Sequence, residues 1–245
     1  MCGSNAVRNL ELSMPAKKTF LFAVLFLILG FCLWAGDSAV FADLGFSSDG
    51  TIYMFAQYGV QSGSLKPWAD LYVVDAARNS FVNGGKVSFV HDKAVTAGND
   101  GSAALFRLIA RNAALAEKHK VDFMNLGQPL YIAVNGGSKE SGQTIEFRDF
   151  TAGNSYKATL VSYTEGSGPN LKSSFFINLE YTSAANVTRT VTVGNPQIKR
   201  PLVEEYRIVK VIKAPQNSAL IFVIEMKKQA ATGFDIRYMV ESAAY

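Results

Sequence analysis

Hydrophobic and polar residues alternate along much of this chain, as they do in β-strands that are buried on one face. Residues 174–181 show the pattern clearly, because Phe175, Ile177 and Leu179 share one face while polar side chains occupy most of the other. In residues 51–58 both faces are largely apolar. That segment is therefore expected to be a central strand that is covered on two sides.

Further segments of this kind are predicted to be strands, and glycine-rich turns separate several of them. The predicted strands cover residues 51–58, 71–75, 86–91, 144–150, 156–163, 174–181, 188–193, 206–212, 220–226 and 234–240. Asp49 and Gly50 precede the first strand and supply the backbone freedom that a tight hairpin needs. The expected architecture is a set of antiparallel, sandwich-like sheets that are rich in hairpins.

One segment has the periodicity of an amphipathic helix. Between residues 102 and 119, Leu105 and Leu108 share one face, while Arg107 and Arg111 share the opposite face. Polar residues just before this segment offer capping side chains. The predicted fold class is therefore mostly β with one packed α-helix at about residues 102–119.

A weak internal similarity keeps a second architecture open. Residues 46–55 and 213–222 both resemble the short hairpin motif found in the blades of secreted β-propellers. A propeller needs several blades of ~40–50 residues, whereas the two similar segments lie far apart with the helix between them. A partial, propeller-like arrangement is therefore a minor alternative to the sandwich.

A glycine-rich segment at residues 136–142 is typical of a linker or a long hairpin loop. It divides the chain after the helix. We expect a β-rich N-terminal part at residues 43–135 and a sandwich-like C-terminal part at residues 143–245. A single continuous domain that includes both parts is an open alternative.

The N-terminal end of the chain follows a different pattern. Lys17 and Lys18 precede an unbroken apolar run at residues 20–31, and small residues follow that run. A basic start, an apolar core and a small-residue exit describe an export signal. The protein is therefore expected to work outside the cytoplasm, either in a periplasm or as a secreted protein.

The sequence suggests where this leader ends. We expect residues 1–42 to be a signal peptide that is cleaved after Ala42, because Val40 and Ala42 fill the small-residue positions before the cut. Cleavage after Ser38 is the near alternative. Met14 is a better translation start than Met1, since a short basic segment follows it directly.

Two other fates of the leader stay open. Cys32 ends a segment with the outline of a lipoprotein box, although the Phe before it occupies a position that normally takes a small side chain; lipidation there would anchor the protein to a membrane. An uncleaved signal anchor is the other possibility. Residues 20–35 are short for it, because a helix that crosses a bilayer needs ~20 apolar residues.

Cysteine content and charge exclude several functions. Both cysteines, Cys2 and Cys32, lie in the leader, so the exported part has no disulfide, no thiol chemistry and no cysteine-metal site. The chain carries 24 Lys and Arg against 20 Asp and Glu, and its scattered basic residues do not form a nucleic-acid patch. With only two histidines and no metal-binding motif, we expect no metal and no cofactor.

Residues 57–68 are the most suggestive candidate for a binding site, since they are expected to form a surface loop rich in glycine and serine. Gln57, Tyr58 and Trp68 flank this loop, and aromatic side chains in such a place are able to form a platform for sugars or peptide. The simpler interpretation, in which Trp68 packs beneath its own loop, also stays open.

No catalytic residues are identifiable from the sequence. Glycoside hydrolysis needs only two carboxylates, and the chain offers several without indicating which of them pair. They are Asp49, Asp70, Asp75, Glu204 and Glu205. A carboxylate-dependent hydrolase that acts on envelope glycan is therefore the alternative to a binding or structural role.

Five segments, at residues 43–50, 55–60, 71–79, 81–85 and 233–240, have characteristic residue types and spacing. Together they resemble a bacterial family of predicted secreted proteins of unknown function. Ser48 departs from the family's usual pattern, which has Pro before Asp-Gly. The resemblance implies export and a shared fold, and it supplies no activity or catalytic residues.

These observations predict an exported, β-rich protein that binds a partner or has a structural role in the cell envelope. The partner is expected to be an envelope component, a peptide or a glycan. We expect no stable transmembrane span in the exported part.

Overall fold

Most of the chain is extended strand, as the alternating pattern predicts. The computed structural model describes residues 36–134, 142–217, 219–231 and 233–244. Most of the predicted leader, including Cys32, lies outside the described residues, as does most of the predicted linker at residues 136–142.

The strands and helices follow one another with short connections. The strands are β1 (Val40–Ser47), β2 (Ile52–Val60), β3 (Pro67–Asp75), β4 (Ser80–Val90), β5 (Val121–Asp122), β6 (Gln128–Ile132), β7 (Thr144–Asp149), β8 (Asn154–Glu165), β9 (Lys172–Thr182), β10 (Thr188–Val193), β11 (Arg200–Pro201), β12 (Val203–Lys213), β13 (Leu220–Gln229) and β14 (Phe234–Ala243). The helices are α1 (Ser102–Arg111) and α2 (Ala113–Lys118), with single 3-10 turns at Gly168–Asn170 and Pro215–Asn217.

The strands form three antiparallel sheets. The N-terminal sheet has the order β4-β3-β2-β1-β5, the central sheet β14-β13-β12-β6, and the outer sheet β10-β9-β8-β7, with β11 also paired to β9. Because β6 pairs with β12, the residues before and after the predicted linker contribute to one central sheet. Residues 36–245 make one compact unit.

The central sheet is buried on both faces. On one face, Ile221 and Val223 pack against Phe46 and Phe55 of the N-terminal sheet. On the other face, residues such as Phe222 pack against the inward side chains of the outer sheet. The sheets therefore stack face to face. This arrangement confirms the sandwich prediction, and the described residues do not form the propeller-like alternative.

Strand β2 has the position that its apolar faces predict. Tyr53 and Phe55 point toward the central sheet, whereas Met54 and Ala56 point toward the helix. The hairpin before β2 also forms as expected: Gly50 has a φ of 72°, a left-handed conformation that glycine adopts without strain. Prediction succeeds here because both signals are local.

The amphipathic segment covers the other face of the N-terminal sheet. Ala104, Leu105 and Leu108 of α1 are buried against that sheet. The helix is interrupted at Asn112, whose Nδ2 donates to the carbonyl of Leu108 at 2.8 Å. The predicted single helix is thus two consecutive helices on one layer. Within the described residues, no helix has the length and hydrophobicity needed to cross a membrane.

Candidate functional site

A groove of about 760 Å³ lies on the described surface beside two edge strands, β6 and β7. Strand β6 is the last strand of the central sheet, and β7 is the last strand of the outer sheet. Among described strands, β6 pairs only with β12 and β7 only with β8. One side of each strand therefore has no described strand as its neighbour.

The sequence of β7 explains how it contributes to the groove. Its residues alternate between buried and exposed positions, so Ile145 and Phe147 enter the core while Glu146 and Arg148 remain exposed. The inward residues pack with the central sheet. The outward charges therefore stay at the surface, where they line the groove.

Strand register extends these charges into a row across the outer sheet. Glu146 is the partner of Lys157, and Lys157 is the partner of Glu180. Arg148 lies two residues after Glu146 on the same face of β7. The side chains of Glu146, Arg148, Lys157 and Glu180 are all exposed. Within the described residues, none of the four is in an ion pair with another side chain. The groove thus presents cations and carboxylates that are available to a ligand.

An aromatic row forms the inner wall of the groove. The ring centroids of Tyr131 and Phe147 are 6.4 Å apart, and those of Phe147 and Tyr156 are 5.0 Å apart. Phe147 and Tyr156 are both buried, so they present little ring surface. Phe150, which also lines the groove, is 88% exposed. It is the aromatic side chain there that a ligand can cover most fully.

The turn that carries Phe150 is held in place by Asp149. Its carboxylate accepts hydrogen bonds from the backbone N–H groups of Thr151 and Ala152 at 3.0 and 3.1 Å, and it forms a buried ion pair with Lys213 of β12. Burial by itself raises the pKa of Asp149, but the Lys213 ammonium and the two N–H groups outweigh burial and lower it below its ordinary value. The two hydrogen bonds hold the turn around Asp149, and the ion pair with Lys213 links that turn to the central sheet.

Gln143 fixes the other end of β7. Its side-chain Oε1 accepts from the backbone N–H of Ile208 at 2.7 Å, and its Nε2 donates to the carbonyl of the same residue at 3.2 Å. This two-way bond links the start of β7 to β12 of the central sheet. Both ends of β7 are anchored, so this side of the groove is preorganised rather than formed by a free loop.

The residues predicted to bind a ligand lie elsewhere. The expected surface loop at residues 57–68 is shorter than predicted, because β2 continues to Val60 and β3 begins at Pro67. Trp68 is only 5% exposed, and the Arg237 guanidinium lies 4.5 Å from its ring centroid.

Gln57 and Tyr58 are separated by the alternation of β2. Gln57 is buried; its Nε2 donates to Asp70 and its Oε1 accepts from the backbone N–H of Tyr238 at 2.8 Å. Tyr58 is half-buried and packs with the core on the helix side. The structure therefore places Gln57 and Tyr58 on opposite faces of β2. That these residues bind a ligand stays a prediction.

Each of the five carboxylates that the sequence offered for hydrolysis has a neighbour in the structure that accounts for its position. Asp49 and Asp75 accept backbone N–H groups in tight turns, Asp70 bonds Gln57 and Tyr72, Glu204 bonds Gln229, and Glu205 lies opposite Lys227 in strand register. None of these five lines the groove. The carboxylates that do line it, Glu146 and Glu180, were not singled out from the sequence.

The sequence contained part of the signal for this site. Alternation within residues 144–150 predicts that Glu146 and Arg148 face outward. Their alignment with Lys157 and Glu180 depends on the register of three strands, which the alternation of each strand alone does not specify.

A comparison with protein families finds a match over most of the chain. The model described as "Predicted secreted protein (DUF2259)" matches residues 54–243. The matched range includes all of α1 and α2 and most strands of the three sheets. Among curated proteins, no match to the chain was found.

Proposed function

The chain belongs to this family of predicted secreted proteins, and on that premise we propose that it is an exported binding protein that holds an extended polypeptide segment in the groove. Its place of action is the cell envelope or the space outside it. The observation that carries the proposal is the line of charges beside two edge strands, none of which has an ion-pair partner in the part of the chain that the structure describes.

The edge strands suit an extended peptide. A segment that lies beside an edge strand gains backbone hydrogen bonds, and alternate side chains of the segment point toward the receptor. In this groove those side chains lie beside Glu146 and Arg148 of β7, which offer both signs of charge. Lys157 and Glu180 extend the charged surface across the outer sheet. Phe150 adds an apolar contact at the rim. The expected ligand is therefore a peptide that carries alternating charges and an apolar residue.

A glycan fits the groove less well. Sugars are commonly held by stacking on exposed aromatic faces, whereas Phe147 and Tyr156 are buried in the wall. Among the described residues that line the groove, Phe150 is the one with a widely exposed ring. Strand edges and charged rows supply what a peptide needs, and a glycan would use few of these groups.

The test is a binding titration of the exported protein. We would measure heat of binding with a panel of extended peptides of different charge pattern and with envelope glycan fragments. Lys157→Glu makes the row of Glu146, position 157 and Glu180 on the outer sheet uniformly acidic. Binding of a peptide with an acidic residue should therefore weaken by about tenfold or more. Lys118→Glu is the matched control, because Lys118 is equally exposed but lies on α2, in the layer farthest from the outer sheet.

Three outcomes of this titration would contradict the proposal. Peptide binding that Lys157→Glu and Lys118→Glu weaken equally would remove the groove as its site. Binding of glycan but no peptide would overturn the choice of ligand. Glycan turnover that disappears in Glu146→Gln or Glu180→Gln would replace the binding role with the hydrolytic one.

A further inference from the structure

Residues 36–42, which we call the N-terminal strap, are built into the fold. Ser38 forms a parallel bridge with Ile236 of β14. On either side of this bridge, the N–H of Ala39 donates to the carbonyl of Ile236 at 3.1 Å, and the N–H of Ile236 donates to the carbonyl of Asp37 at 2.9 Å. The strap is thus joined by backbone hydrogen bonds to an edge strand of the central sheet.

The side chain of Asp37 anchors the strap. Its Oδ2 lies 2.8 Å from Nη2 of Arg237, and Nη1 of the same arginine donates to the Asp37 carbonyl at 2.9 Å. The backbone N–H of Asp37 donates to Oδ1 of Asp235 at 2.9 Å. Asp37 is 6% exposed. Few aspartates are buried to this degree without a specific partner, and here the partner is present.

Gly36 also fits closely against β14. A Cβ atom at this position would lie 1.7 Å from the carbonyl oxygen of Phe234. Any larger residue would therefore push the strap away from the strand. The close approach indicates that the chain is shaped to its neighbour from Gly36 onward.

The second half of the strap belongs to β1. Val40, Phe41 and Ala42 pair in register with Tyr58, Gln57 and Ala56 of β2, respectively. The Phe41 ring lies 5.7 Å from the ring of Phe55 and 5.7 Å from the ring of Tyr238. It therefore helps to fill the core between two sheets.

We infer that the leader is removed by cleavage of the bond between Ala35 and Gly36. Signal peptidase needs a small residue directly before the cut, and Ala35 is the last small residue that precedes the anchored segment. The aliphatic Leu33 occupies the second position that the enzyme reads.

The bond after Ala42 has Val40 and Ala42 at these two positions and fits the sequence rule better, but it lies within β1. A cut there discards Asp37, the partner of Arg237, together with the first three of the eight residues of β1. A cut after Ser38 also discards Asp37.

The experiment uses the full chain, expressed in a bacterial host that exports it. Intact mass and N-terminal sequencing then identify the first residue of the exported protein. A chain that starts at Gly36 supports the inference. A chain that starts at Ala39 or Asp43, a lipid-modified Cys32 or an unprocessed leader would each overturn it.

Two variants separate the competing sites independently of folding. Ala35→Phe places a bulky residue directly before the proposed cut, so the unprocessed precursor should accumulate. Val40→Glu places a charge at the position that cleavage after Ala42 requires to be small and uncharged. Because Val40 is 45% exposed, this variant should fold, and its processing should be unchanged. Accumulation of precursor in Val40→Glu but not in Ala35→Phe would contradict the inference.

Discussion

Charged side chains beside the N-terminal strap and along the groove differ in their surroundings. At the strap, Asp37 and Arg237 are largely buried and lie 2.8 Å apart. In the groove, Lys157 and its neighbours are exposed and have no ion-pair partner among the described residues. Carboxylates and basic groups therefore stabilise the fold at the strap, whereas in the groove they are available to a ligand.

This difference teaches that burial, more than charge itself, indicates what a charged residue does here. An exposed ion pair contributes little, because water already stabilises both ions. A buried ion cannot lose its partner without a large cost. The predictions below test this distinction, from the largest expected change in the free energy of unfolding to the smallest.

Asp149→Asn should have the largest effect, because it leaves the ammonium of Lys213 buried without a counter-charge. We expect the free energy of unfolding to fall by about 3–5 kcal/mol, measured by urea denaturation. Asp75→Asn is the matched control: Asp75 accepts the same kind of turn hydrogen bonds, but its partner Arg78 is exposed. That control should lose about 1 kcal/mol or less. Equal losses would erase the distinction between buried and exposed pairs.

Arg237→Met should destabilise the protein by about 2–3 kcal/mol at neutral pH, since Asp37 loses its buried partner. Burial raises the pKa of Asp37 above its ordinary value, and the Arg237 guanidinium and the Trp68 indole offset part of that rise. Without Arg237 the pKa should rise further. Stability should then recover partly as falling pH protonates Asp37, as followed by urea unfolding and Trp68 fluorescence.

The exposed control for that change is Arg78→Met, which should alter stability little at any pH. A loss in Arg237→Met that does not diminish in acid would mean that packing against Trp68, rather than the charge of Asp37, explains the effect. The strap would then be an apolar anchor, and the comparison with the groove would need revision.

A smaller effect should appear in the pH dependence of stability at Glu241. Burial raises the pKa of Glu241 above its ordinary value of 4.5, and the hydrogen bond from Asn79 and the charge of Arg200 offset this only in part. The folded protein therefore holds this proton more tightly than the unfolded chain. Its contribution makes stability fall as pH rises from 4.5 through the folded pKa.

Glu241→Gln removes that contribution. Urea denaturation across the acidic range should show a shallower loss of stability with rising pH in the variant than in the parent protein. A steeper loss would show that Arg200 stabilises the ionised form of Glu241 more than burial opposes it.

Lys157→Glu should have the smallest effect on folding. Loss of an exposed side chain without an ion-pair partner changes stability within about 0.5 kcal/mol, and the new carboxylate opposite Glu146 and Glu180 adds about 1 kcal/mol of repulsion at most. This variant and Lys118→Glu should therefore unfold at urea concentrations close to that of the parent. A loss well beyond that range in Lys157→Glu alone would indicate that the row across the outer sheet is structural. The row would then stabilise the fold as the strap does, and the contrast between the two places would be lost.

The success of sequence prediction differs between these places for physical reasons. The apolar faces of β2, the turn at Gly50 and the helical segment over residues 102–119 follow from signals within a few residues. The strand and the turn form as predicted, and the helical segment forms as two consecutive helices. Trp68 was expected beside a surface loop, but Arg237, far along the chain, lies over its ring. The predicted loop is shortened to residues 61–66 because β2 and β3 pair over their whole length.

The sequence by itself determined that the chain is β-rich, where most strands lie, and that it resembles a secreted family. These properties depend on local periodicity and turns, which neighbouring residues specify. Only the tertiary structure decided which charges are buried and which face the groove. The tertiary structure also showed that the strap belongs to the fold. The sequence alone did not show this, because the bond after Ala42 satisfies the sequence rule for cleavage. The partners that distinguish these cases, Arg237 for Asp37 and Lys213 for Asp149, are distant in sequence and meet only when the sheets stack.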